Sequence, residues 1–126
     1  MNATIASAGK YIKVSNSGQS LPDSAALGSG SNDWACTFDT DSGLLWEVKT
    51  DDSGMRDKDW SYTWYDSNPA TNGGYEGTEN GEYSKFCEKD SFCNTEDYAQ
   101  RVNLQGLCGG NNWSLPSIDV LKTLIY

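Results

Sequence analysis

The sequence predicts a small α+β fold stapled by disulfides. Three observations carry that reading: strand-like runs lie in the first half, helix-start and helix-stop signals lie in the last third, and the cysteines number four. At 126 residues the chain has room for one domain of ordinary size. Only 37% of positions are apolar and 12% are aromatic, so the core is small and Trp and Tyr must supply much of its buried area.

Residues 1–10 read as a flexible polar leader, although Ala6-Ser7-Ala8 has the small residues that end a signal peptide. The single domain is expected over 11–126. Tyr11-Ile12-Lys13-Val14 alternates like a short strand, and 15–33 reads as an irregular connection rich in Gly, Ser, Asn and Asp. Trp34–Phe38 and Leu44–Val48 are strand-like runs around Asp39-Thr40-Asp41-Ser42-Gly43, a tight-hairpin sequence with Gly43 at positive φ. Trp60–Tyr65 predicts a strand with Trp60, Tyr62 and Trp64 on one face. The Gly- and Asn-rich stretch from Asp66 to Glu82 predicts a long loop, a kind that is functional or disordered when it occurs in compact domains. Asn94-Thr95-Glu96-Asp97 is an N-cap with acid in the first turn, followed by Tyr98 and Val102 at helical spacing and by Gly106 as a stop. Ser117 caps a second helix whose buried face is expected to hold Ile118, Leu121, Leu124 and Ile125.

Cys36, Cys87, Cys93 and Cys108 form no C-x-x-C pair, and the chain has no His, so disulfides are favoured over a zinc site. Four cysteines allow three connectivities. Proximity favours Cys87–Cys93, which leaves Cys36–Cys108. Disulfides imply an oxidising compartment, hence an extracellular, cell-surface or periplasmic location.

Nine Lys and Arg stand against eighteen Asp and Glu, a net charge of −9 spread over both halves. Such a surface repels nucleic acid and anionic lipid, and no stretch is apolar enough for membrane insertion. The lack of His removes Ser-His-Asp and Cys-His catalysis.

Several short motifs then fall in a familiar order: Leu21-Pro22-Asp23-Ser24-Ala25, Trp34-Ala35-Cys36, Asp41-Ser42-Gly43-Leu44-Leu45-Trp46-Glu47-Val48-Lys49, Tyr62-Thr63-Trp64-Tyr65, Cys93-Asn94-Thr95, Val102-Asn103, Leu107-Cys108-Gly109 and Asn112-Trp113-Ser114-Leu115-Pro116-Ser117. Together they resemble the domain family named for the C-terminal domain of the Legionella collagen-like adhesin. The resemblance implies a C-type lectin-like fold, with two helices beside small twisted antiparallel sheets and long loops. It implies a secreted or surface-exposed bacterial protein; the founding member binds sulfated polysaccharides as a trimer. Ser114 replaces an Arg usual in the family. The family also continues through further strands, so the resemblance implies a domain lacking its C-terminal strands.

Trp60, Tyr62 and Trp64 suit a sugar-stacking platform, since flat rings match the apolar face of a pyranose; a core strand face is the plainer reading. Tyr65 and Tyr75 are expected to be exposed, with Asp66 and Asn72 as neighbouring polar contacts of a ligand patch. Asp39, Asp41 and Gly43 mimic the opening of a calcium loop, but Thr50 stands where an EF-hand needs Glu, and a hairpin explains them. Asp51, Asp52, Asp57 and Asp59 are the better calcium candidates, with a solvated acidic loop as the plain alternative. Glu76, Glu79 and Glu82 lie on a Gly-rich loop that does not suggest the rigidity of glycosidase carboxylates. Trp46 and Trp113 read as core.

The expectation is a non-enzymatic, adhesin-like module that recognises a glycan or a protein through its loops. The alternative is an assembly subunit of a homo-oligomer or surface filament, completed by strands from a neighbour. The acidity argues against sulfated polysaccharides and for a neutral sugar, a cationic partner or a protein surface.

Overall fold

The computed structural model describes residues 10–79, 87 and 93–125. Apart from Lys10, the expected leader lies outside the described residues, and so does Glu82. The chain forms two compact units: Met1–Thr50 with Gly106–Asn111 and Pro116–Tyr126, and Asp51–Gln105 with Asn112–Leu115.

The first unit is built on one antiparallel sheet with strand order β2-β1-β3-β4. Its strands are β1 (Tyr11–Ser15), β2 (Ser20–Leu21), β3 (Trp34–Asp39) and β4 (Leu44–Glu47). β1 alternates as its sequence demands: Ile12 and Val14 are buried, whereas Tyr11 is exposed. Lys13 uses the other face, donating from Nζ to the Ala25 carbonyl at 2.8 Å and sitting 4.2 Å over the Trp34 ring. The connection expected to be wholly irregular contains β2, whose Leu21 pairs with Lys13.

β3 and β4 form the expected hairpin, with Asp39 opposite Leu44. Asp39 Oδ1 accepts from the Asp41 N–H at 3.0 Å, and Gly43 turns at φ 73° while donating to the Asp39 carbonyl. The apparent calcium-loop opening is therefore a hairpin turn. Cys36, fully buried on β3, is bonded to Cys108 in a 3₁₀ turn (Leu107–Gly109). This disulfide and the buried Ile12, Val14, Ala35 and Leu107 form the core of the unit.

Helix α2 (Ile118–Lys122) starts where Ser117 Oγ accepts from the Val120 N–H. Its expected buried face is not buried: Ile118, Leu121, Leu124 and Ile125 are all exposed, and no residue of the helix is buried. Apolar spacing marks a face that suits burial, but burial needs a second surface. Among the described residues none covers this one.

In the second unit, helix α1 (Thr95–Gln105) begins at Asn94, whose Oδ1 accepts from the Asp97 N–H at 2.8 Å. Glu96 and Asp97 in its first turn complement the helix dipole, and Asp97 pairs with Arg101 one turn on. Tyr98 and Val102 face inward, and a second disulfide, Cys87–Cys93, is buried. The chain stops being helical at Gly106, φ 65°.

Trp60–Tyr65 forms no regular strand. Thr63 makes a single parallel bridge to Asn94 and Tyr65 a single antiparallel bridge to Gly77. Side chains take over the pairing that a ladder would supply. Thr63 Oγ1 donates to the Thr78 carbonyl at 2.7 Å, and Thr95 Oγ1 accepts from the Tyr65 N–H at 3.1 Å.

Candidate functional site

The site is set by the chain folding back on itself at 64–78. Asp66 N–H donates to the Glu76 carbonyl and Thr78 N–H to the Trp64 carbonyl, which closes the loop at its base. Inside it, Asp66 Oδ1 accepts from the Asn68 N–H while Oδ2 accepts from Thr71 Oγ1. Asn72 donates from Nδ2 to the Asp66 carbonyl at 3.0 Å and accepts at Oδ1 from the Gly74 N–H at 2.8 Å. These Asx-type bonds hold a Gly-rich segment in one conformation without a hydrophobic core of its own.

On this loop the Trp64 and Tyr75 rings lie near parallel, 14° between planes and 6.2 Å between centroids. Both are open to solvent, Trp64 at 44% and Tyr75 at 70%. Gly77 makes the arrangement possible. At φ 84°, a Cβ added there would fall onto the Trp64 carbonyl and within 2.7 Å of the ring carbon Cε3. Only a glycine lets the return segment pass beneath the indole. Aromatic spacing did not reveal this role of Gly77 in placing the indole.

The other expected contacts divide differently. Trp60 is half-buried, and its indole N–H donates inward to the Gly54 carbonyl at 2.6 Å. Tyr62 is half-buried against Tyr98, with ring centroids 4.9 Å apart. The three aromatics expected on one face therefore part company, because a segment held by single bridges need not keep the alternation of a strand. Tyr65, expected to be exposed, is half-buried instead. Burial, together with the charges of Glu79, Glu76 and Glu96, pushes its phenol above the ordinary range. Asp66 and Asn72 direct their side chains to hydrogen bonds within the loop itself.

Of the four acidic calcium candidates, Asp51, Asp57 and Asp59 converge, with one oxygen from each within 4.8 Å of the others. Asp52 does not join them and accepts from the Gly54 N–H. Asp57 is buried and accepts from the Asp59 and Ser53 N–H groups, which hold its carboxyl below the usual range. Lys58 lies 3.0 Å from Asp59 and 3.8 Å from Asp51, so the chain supplies its own cation. Glu76 and Glu79 are exposed. Trp46 and Trp113, expected as core, are half-buried; Trp46 Nε1 is buried with no hydrogen-bond partner among the described residues.

No family model, curated protein or solved structure matches the chain. Among the described residues, no helix is long and apolar enough to cross a membrane.

Proposed function

We propose that this protein is a non-enzymatic binding module of lectin-like fold, secreted or displayed on a bacterial surface, that recognises a glycan through the Trp64–Tyr75 face. The observation that carries the reading is that pair of exposed, near-parallel rings on a loop fixed by its own hydrogen bonds. Two solvated aromatic faces cost free energy unless something covers them, and the apolar face of a pyranose fits a flat ring. A preformed loop also spares the ligand the entropy of ordering it. Supporting the reading are the resemblance in motif order and, more coarsely, a disulfide-stapled α+β chain with two helices and a small antiparallel sheet.

Isothermal titration against oligosaccharides tests it. Removing either ring by Trp64→Ala or Tyr75→Ala is expected to weaken binding about tenfold, the equivalent of ~1.4 kcal/mol per aromatic contact. Binding that both variants keep intact would place the glycan elsewhere.

A second reading rests on α2, whose four apolar side chains are exposed. A surface of that kind suits an assembly subunit completed by a neighbouring chain. Light scattering after size exclusion separates the two. Concentration-dependent oligomers abolished by Ile118→Asp with Ile125→Asp support assembly, and a monomer at all concentrations removes it.

A further inference from the structure

We propose that the sugar stacks on the face of the Tyr75 ring turned away from Trp64, that Trp64 is a positioning residue behind it, and that the site takes internal units of a neutral β-1,4-linked glucan; this rests on the glycan reading above. The two rings are stacked, with 14° between planes and 6.2 Å between centroids. The gap at the ring centres cannot exceed that centroid distance. A sugar held between the rings would need about 3.5–4 Å to each of them, roughly 7 Å or more in all. The pair is therefore too close to be a slot, and a pyranose can stack only on an outer face.

The two rings differ in access. Tyr75 is 70% exposed against 44% for Trp64. The indole is clasped by its own loop: the Trp64 carbonyl accepts from the Thr78 N–H, and a Cβ added at Gly77 would come within 2.7 Å of Cε3. Tyr75 instead stands on a ridge, with Gly73, Gly74 and Glu76 exposed around it and its N–H anchored to the Asn72 carbonyl at 3.2 Å. Walls that stop a chain end make a site concave and would cover the ring. A ring this open on a ridge lets a chain run on past it, so units inside the chain reach it as readily as an end. A glucose unit with every ring substituent equatorial offers only C–H bonds to a flat ring on either face. In a β-1,4-linked chain, where each unit is turned over from the last, every unit then presents the same apolar surface.

The test uses the full chain, the β-1,4-linked glucose tetrasaccharide, and a soluble β-glucan polymer rich in 1,4 linkages, in which chain ends are scarce. Per glucose unit, the polymer is expected to bind within about twofold of the tetrasaccharide. Nuclear Overhauser contacts in the complex should run from the sugar ring protons to the Tyr75 ring and not to the Trp64 indole. Tyr75→Ala and Trp64→Ala should each weaken binding about tenfold. Trp64→Phe should restore it to within about twofold of the parent, because a phenyl ring still backs Tyr75.

Sugar contacts to the indole as strong as those to Tyr75 overturn the inference and leave the glycan reading standing. So does a Trp64→Phe variant as weak as Trp64→Ala, or a tetrasaccharide that binds through Tyr75 while the polymer does not. If both glucans fail and another oligosaccharide binds through Trp64 or Tyr75, the inference falls alone. If no oligosaccharide binds, both fall.

Discussion

Asn103 holds Trp113 by both ends of its amide: Oδ1 accepts from the Trp113 N–H at 2.6 Å and Nδ2 donates to the Trp113 carbonyl at 3.0 Å. One helical side chain thereby does for Trp113 what a neighbouring strand would do. Asn103→Ala leaves a donor and an acceptor unpaired and is expected to cost about 2 kcal/mol. Urea unfolding checks it through a lower midpoint at unchanged slope; an unmoved midpoint would show that water replaces the amide without loss.

Gly77→Ala combines a left-handed backbone with a Cβ driven into Trp64. The expected loss is about 1–3 kcal/mol, with the near-ultraviolet circular dichroism of the indoles altered as Trp64 is displaced. An alanine tolerated with no spectral change would mean that the indole does not lie over this residue.

The two disulfides close loops of very different length, with sequence separations of 72 and 6. Chain entropy assigns about 4 kcal/mol to Cys36–Cys108 and about 2 kcal/mol to Cys87–Cys93. Paired Cys→Ala variants should lose thermal stability in that order, and the reverse order would refute the loop-entropy account for this protein.

Asp39 and Asp57 make the fold sensitive to acid. Burial pushes the Asp39 carboxyl up, but the Asp41 N–H, the Ser42 hydroxyl and Lys10 outweigh it. Hydrogen bonds from the Asp59 and Ser53 N–H groups hold Asp57 low. A carboxyl depressed in the folded state stabilises above its unfolded pKa, ordinarily about 3.9, and that contribution is lost as pH falls through the lower folded value. Urea midpoints should therefore drop below about pH 4, and Asp57→Asn should be less stable at neutral pH with a shallower acid limb. An acid limb of unchanged steepness in that variant would acquit Asp57.

Calcium should do little. Lys58 already balances Asp51 and Asp59, and both Asp57 oxygens are engaged by backbone N–H groups. The melting temperature is expected to stay constant whether Ca²⁺ or EDTA is added. A rise with Ca²⁺ that Asp59→Asn abolishes would establish a metal site.

Local chemistry made much of this legible in advance. Asn94 and Ser117 cap helices because their side-chain oxygens reach a backbone N–H three residues on, a property of a few consecutive residues. The hairpin at 39–43 is equally local, and so is the short Cys87–Cys93 ring. Trp60, Tyr62 and Trp64 show the limit. Alternation predicted one shared face, yet each side chain took its place from a group outside the run: Gly54 for Trp60, Tyr98 for Tyr62, and Tyr75 with Gly77 for Trp64.

By itself the sequence determined an acidic, disulfide-stapled α+β chain with its turns, caps and helix stop, because those depend on composition and on neighbours a few residues apart. Only the tertiary structure decided which aromatics reach solvent, that Asp66 and Asn72 brace a loop, and that the apolar face of α2 lies open. Exposure is a property of what packs against a side chain. That partner lies outside the local run, where spacing carries no information.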